Sequence, residues 1–202
     1  KKLEDKLTQK VKRVLLVEIA RGTLSRVTPD GRIHVLAHLS GGPNGAAIGP
    51  DGAVYVANNG GFFWSDMNGI EMPVNTATGS NTFDGYEGGW INRVDLASGT
   101  SSVLYRECDG HRLNGPNDIV FDSQGGFWFT DLGKTYPRQY DKGAVFYGRI
   151  DGSSVERKVF PMLTPNGVGL SPDESTLYVA ESMTGRLWAF DLTGPGMVKP
   201  AA

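Results

Sequence analysis

The chain has 202 residues, a formal net charge of −2, 39% hydrophobic and 21% charged side chains, which is enough apolar material for one packed domain. No Lys/Arg cluster is interleaved with aromatics, so there is no nucleic-acid footprint, and no apolar run approaches the roughly 18 residues of a membrane-spanning helix. The single cysteine, Cys108, excludes an intrachain disulfide and a Cys-based zinc site and points to a reducing, cytoplasmic setting.

The 28 glycines and 11 prolines predict many tight turns, hence short strands rather than helices. Residues 1–13 are atypical. They lack Gly and Pro, and Leu3, Leu7 and Val11 recur as on a weak amphipathic helix, or else form a poorly matching first strand. From Val14 the pattern is β throughout. Val14–Glu18 and Thr23–Val27 read as strands around Arg21-Gly22, and Ile33–Ala37 follows the Pro29-Asp30-Gly31 turn. A second unit runs from Asn44 to about Tyr105, with Trp90–Asp95 and Ser102–Tyr105 as strands. It carries a long insertion, Gly60 to Glu87, rich in Gly, Asn and aromatics. So long a loop in a compact domain is commonly functional, and a rim loop that contributes to substrate choice is expected. A third unit runs from Asn117 to Phe160, with Ala144–Ile150 and Val155–Phe160 as its outer strands. A fourth starts at Asn166 and has Arg186–Asp191 as its third strand, with no fourth strand expected.

These units share one grammar, an internal repeat. Gly42-Pro43-Asn44, Gly115-Pro116-Asn117 and Thr164-Pro165-Asn166 each open an apolar run, and a turn and a second apolar run follow. Asn58 lies 14 positions after Asn44, Asp131 lies 14 after Asn117, and Glu181 lies 15 after Asn166, with one extra residue in the Asp173–Thr176 turn. Leu15-Leu16-Val17-Glu18 parallels the second run, and counting back 14 from Glu18 gives Glu4. Four-stranded units repeating in this way predict an all-β fold, a β-propeller of about four blades in this chain.

In a propeller, residues at the start of each first strand form a ring at the channel. Here that ring is Glu4, Asn44, Asn117 and Asn166. Carboxylate and amide oxygens suit a hard divalent cation such as Ca2+, and neutral amides leave charge on the ion to polarise a bound carbonyl or water. Pro-Asn is also ordinary turn chemistry, but three copies in phase favour a site. The second ring, Glu18, Asn58, Asp131 and Glu181, either orients the first or serves blade-edge hydrogen bonding, and Asp118 beside Asn117 belongs with the orienting groups. His34 and His38 read as surface residues, and His111 precedes the third-unit Asn. Phe62-Phe63-Trp64 and Tyr136 are loop aromatics that wall a pocket or cover the rim.

Gly-Pro-Asn-Asp-Ile-Val-Phe-Asp (115–122) with Phe-Trp-Phe-Thr-Asp (127–131) resembles the SMP-30/gluconolactonase/LRE-like family. So does Thr-Pro-Asn-Gly-Val-Gly-Leu-Ser-Pro-Asp (164–173) with Leu-Tyr-Val-Ala-Glu-Ser (177–182). Leu15–Gly22 and Gly42–Gly52 fit it too, and the match covers roughly residues 14–195. The resemblance implies a six-bladed propeller with a divalent metal, often calcium, in its channel, and hydrolysis of sugar lactones. It implies metal ligation by Asn117 and Asn166, with Glu4 matched by count although the family's Glu-Gly-Pro reads Glu4-Asp5-Lys6. Asn44 shares the phase, yet the family's metal set does not clearly require it, so it is expected to contact substrate or to orient the ligands; Gly115 stands where some members carry a substrate Arg. The family's fourth ligand, an Asp also proposed as general base, is expected one blade past Asn166, beyond Ala202.

The expectation is therefore a single, incomplete propeller domain over residues 1–202. It would be an open arc whose apolar blade faces another chain or further segments complete, and it would bind calcium weakly and hydrolyse lactones poorly alone. Two other readings stay open: a strictosidine-synthase-like propeller that needs no metal, and a non-enzymatic binding propeller.

Overall fold

The computed structural model describes residues 14–200, and every regular element among them is a β-strand. Three strands, Val14–Glu18, Thr23–Val27 and Ile33–His38, form the first blade. The second blade is Pro43–Ile48, Val54–Asn58, Trp90–Val94 and Ser101–Tyr105. The third is Pro116–Phe121, Gly126–Asp131, Gly143–Arg149 and Val155–Met162, and the fourth is Pro165–Leu170, Thr176–Glu181, Arg186–Gly194 and Met197–Val198. Within each blade, successive strands pair antiparallel in chain order, an up-and-down propeller sheet.

The two-residue period of the second strand assigns its side chains to opposite neighbours. Val54 and Val56 pack against Leu24, Ala37 and Leu39 of the first blade side. Tyr55 and Ala57, between them in sequence, face Phe127 and Phe129 of the third blade. Trp128 points the other way, onto Leu177 and Val179 of the fourth. All five residues of Val54–Asn58 and all six of Gly126–Asp131 are therefore buried.

Where a described blade lies on one side only, the strand alternates instead. In Thr176–Glu181 the side chains of Leu177, Val179 and Glu181 are buried while Tyr178 is 40% exposed. Leu187, at 71% exposed, continues that bare face, and Val14, Leu16, Ile33 and Val35 form its counterpart on the first blade. The four sheets are thus an arc, not a closed ring, among the described residues.

Two expectations change. The fourth blade has an outer strand: Met197–Val198 pairs with Leu192 and Gly194, after a turn whose Gly196 adopts φ +67°. That pair of residues is too short to give an alternating pattern, so the sequence hides it. The insertion is not wholly irregular, because Ser65–Asp66 and Glu71–Met72 form a ribbon. Two further ribbons, Glu107–Cys108 with His111–Arg112 and Thr135–Tyr136 with Gln139–Tyr140, escaped for the same reason of length. The extra residue foreseen in the fourth blade is present. Ser171 N–H closes on Thr176 O across a turn one residue longer than the one from Asp122 N–H to Gly126 O, with Glu174 at φ +57°. Glu4 and the atypical segment 1–13 lie outside the described residues.

Candidate functional site

Asn44, Asn117 and Asn166 each occupy the second position of a first strand, and each sits at a β-bulge. Pro43 pairs with Asn58 and Gly45 with Ala57, so Asn44 is the extra residue. Pro116 pairs with Asp131 and Ile119 with Phe129, which sets Asn117 and Asp118 against Thr130 alone. Pro165 pairs with Glu181 and Val168 with Val179, which sets Asn166 and Gly167 against Ala180 alone. A bulge adds one residue, bends the strand and re-aims a side chain. Three bulges in phase therefore single out the Asn position.

The three positions are brought together. A β-carbon on Gly45 would stand 2.6 Å from the Asn117 carbonyl oxygen and 2.6 Å from Asp118 Cα, so only glycine lets the second blade approach the third this closely. On the other side, Val168 N–H donates to Asp118 Oδ2 at 3.0 Å across the third and fourth blades. Thr130 Oγ1 accepts from Asp118 N–H and donates to the Asn166 carbonyl. Asp118 Oδ1 also accepts from Ile119 N–H, so this carboxylate ties the Asn117 and Asn166 strands together. Asn117 is 7% exposed, Asn44 is half-buried and Asn166 is exposed.

The second ring closes the same end of the blades. A proline at the first strand position has no N–H to give its partner strand. The N–H groups ahead of it are taken instead by the side chain that ends the second strand. Asn58 Oδ1 accepts from Gly42 and Gly60. Asp131 accepts from Asn114, Gly115 and Gly133 at 2.7–2.9 Å. Glu181 Oε1 accepts from Leu163, while its Oε2 takes Thr184 and the Trp188 indole. Glu18 is bound by Thr23, Ser25 and Arg21, and the two hydroxyls hold its carboxyl below the usual range. Burial raises the Asp131 carboxyl against the three N–H groups that favour its charge. Blade-edge hydrogen bonding thus accounts for the contacts of this ring, and in Asp131 it also holds the loop that delivers Asn117.

The insertion packs onto the third blade. Asn81 exchanges bonds with Thr135, Ser80 donates to Thr135 O, and Tyr86 reaches the carbonyls of Asn59 and Asn114. Lys134, 2% exposed, donates from Nζ to Gly61 O at 2.6 Å. Sequence reading did not single out Thr130 or Lys134: the position of Thr130 is Ala57 and Ala180 in the neighbouring blades, and Lys134 lies in a connection between strands. Asn59 Nδ2 and Asn114 Oδ1 are buried without hydrogen-bond partners among the described residues.

Among the described residues no three His, Cys, Asp or Glu side chains converge as metal ligands. The ring is built from amides, whose oxygens suit a hard cation. Asn166 Nδ2 donates to Ser182 Oγ at 3.0 Å, which leaves its Oδ1 as the open acceptor. The bonds around Asn117 engage Asp118 and Thr130 and spare its own amide. As donors, these two residues fit part of a calcium-type shell of six to eight oxygens.

A family model described as the SMP-30/Gluconolactonase/LRE-like region matches residues 7–201. A gluconolactonase of Zymomonas mobilis is 27% identical over 192 residues, covering 84% of this chain and 46% of that protein. Lactonase drp35 of Staphylococcus saprophyticus is 42% identical over 81 residues, 40% of this chain and 24% of its own length. The solved structure of a gluconolactonase from Xanthomonas campestris superposes with a TM-score of 0.69 at 24% identity, over 95% of this chain and 58% of that one. The chain spans about half, or less, of the length of the relatives it matches.

Proposed function

The chain belongs to the SMP-30/gluconolactonase/LRE-like family, and from that premise we propose that it serves the hydrolysis of a sugar-type lactone at the face carrying Asn44, Asn117 and Asn166, with a divalent cation, calcium by preference. The observation that carries this reading is the trio of in-phase bulges at those residues, on first strands that touch one another.

Asn117 and Asn166 would hold the cation through their amide oxygens, with Glu4 as the carboxylate that the family resemblance implies. When bound, such a cation acts as a Lewis acid toward a lactone carbonyl. The chain's own residues supply position. Asp118 and Thr130 fix the distance between the Asn117 and Asn166 strands through Val168 N–H and the Asn166 carbonyl. Ser182 fixes the Asn166 amide. Asn44, on the neighbouring bulge, would bind the hydroxyl-rich body of the lactone.

Calcium titration of the chain by calorimetry, with hydrolysis of a six-membered aldonolactone followed by pH-stat, tests the reading. Asn117→Ala and Asn166→Ala should each weaken calcium binding by about tenfold or more. Asn44→Ala should lower turnover more than calcium affinity. Turnover that persists undiminished in excess chelator would overturn the metal assignment, and absence of any lactone hydrolysis would overturn the reaction.

A further inference from the structure

Lys134 carries a charge into the interior between the insertion of the second blade and the third blade. It sits three residues past Asp131, on a segment clasped at both ends: Lys134 N–H donates to Asp141 Oδ2 at 3.1 Å, and Asp141 N–H donates to Lys134 O at 2.8 Å. Its Nζ crosses to the second blade, where it meets Gly61 O at 2.6 Å, the Phe62 ring at 3.8 Å and the Tyr86 ring at 4.7 Å. No carboxylate forms an ion pair with it among the described residues. A carbonyl and two aromatic faces therefore do the work of a counter-ion. All three partners belong to the insertion. Gly61 in turn lies against Gly41, three residues ahead of Asn44.

We propose that Lys134 is the latch of the insertion, a positioning residue that holds Gly61-Phe62 against the third blade and so sets the wall beside Asn44 that a lactone meets. This role in substrate choice rests on the function proposed above, whereas the latch itself does not.

The surroundings make the latch responsive to protons. The charged and titratable groups around Lys134 are Asp131 and Asp141 on its own segment, Tyr136 beyond them, Tyr86 on the insertion, and Arg112, which stacks on Tyr86 from the connection out of the second blade. Burial lowers the ammonium to about 7, against the opposing pull of Asp131 and Asp141. With the insertion lifted, Lys134 returns toward 10.5. Latching therefore releases a proton between these values, and the insertion closes more firmly as pH rises through that window.

Hydrogen exchange of the 202-residue chain, read by peptide mass spectrometry, tests the latch without reference to activity. Lys134→Met keeps the length of the side chain and removes the donor. Exchange in peptides from 60–89 should rise up to about tenfold, the upper end for losing one neutral hydrogen bond, while peptides from 14–40 stay as they were. In the parent chain, protection of 60–89, corrected for intrinsic rates, should grow from pH 6.5 to 9, and this slope should vanish in Lys134→Met. Phe62→Leu, which keeps the lysine and removes one ring face, should give a smaller rise in the same peptides and serves if Lys134→Met does not fold. For lactones, KM should rise several-fold with kcat little changed. Unchanged exchange in 60–89 in a folded variant, or an equal rise everywhere, overturns the latch. A parent chain that hydrolyses no lactone removes the proposed reaction, and the exchange result then decides the latch by itself.

Discussion

Gly45→Ala tests the contact between the second and third blades at the Asn ring. The added methyl would stand 2.6 Å from Asn117 O, 2.6 Å from Asp118 Cα and 2.7 Å from Asp118 Oδ1, where ordinary contact begins near 3.4 Å. Two of these atoms are backbone, so no rotamer change relieves the clash, and the strands must part by most of an ångström. Gly45 has no positive φ, so the cost is steric and not conformational. Overpacking of this kind costs about 1–3 kcal/mol, and a domain of this size loses about 2–4 °C in Tm per kcal/mol. The control is Gly167→Ala, the glycine that follows the fourth-blade Asn. There the new methyl would meet only Asp118 Oδ2 at 3.8 Å and Ala180 Cβ at 3.9 Å. Differential scanning calorimetry and calcium titration of both variants should show Gly45→Ala several degrees less stable and weaker in calcium binding, with Gly167→Ala close to the parent. Equal behaviour of the two variants would refute the close packing of the Asn44 and Asn117 strands and the ring built on it.

Thr130→Val removes a hydroxyl that serves two blades and leaves Asp118 N–H and the Asn166 carbonyl without that partner. Chemical denaturation should report a loss of about 1–3 kcal/mol, and lactone turnover should fall with it. The stability of the parent chain should rise with pH between about 7 and 10.5 because of Lys134. Below that window both states hold the proton and the burial penalty is present in full. Within it the unfolded chain keeps a proton that the native chain has lost, so unfolding becomes harder by up to on the order of 5 kcal/mol, and Lys134→Met should flatten the rise. Asp131→Asn should cost about 1–3 kcal/mol by urea unfolding. An amide keeps one acceptor for Gly115 and Gly133 but turns an N–H2 toward the Asn114 N–H.

The blades were legible because the repeat writes them out. Strand existence followed from alternating runs between Asp-Gly and Pro-Asp turns, and the phase of 14 residues marked the end of each blade that carries the Asn. The ribbons and the strand Met197–Val198 were not legible, since two residues carry no period. The bulges were hidden for a related reason. The sequence shows Pro43-Asn44-Gly45 and Pro165-Asn166-Gly167 alike, and register exists only once a partner strand is in place. Thr130 and Lys134 were invisible because their partners, Asn166 and Gly61, lie 36 and 73 residues away.

The second ring shows how one geometric task takes three side chains. Each must catch N–H groups just ahead of a proline, and what lies over the other half of the side chain selects its chemistry. In the second blade that half meets Ser40 O and Asn92 Oδ1, two acceptors, so Asn58 presents an N–H2 to them. In the third it meets only N–H donors, from Asn114, Gly115 and Gly133, and a carboxylate serves all three. In the fourth the N–H that is caught belongs to Leu163, one position further from the proline than in the second blade, and a hydroxyl and an indole complete the set. The longer reach of Glu181 is needed there. A position that reads as Asn, Asp or Glu across a repeat thus looks in the sequence like one ring with one task, orienting the first ring or bonding the blade edges. In the fold each letter answers a different set of local donors and acceptors. The first ring behaves otherwise: its residue stays Asn in all three blades while its surroundings run from buried to exposed. Local bonding therefore does not select that letter, whereas the shared cation and substrate role proposed above would.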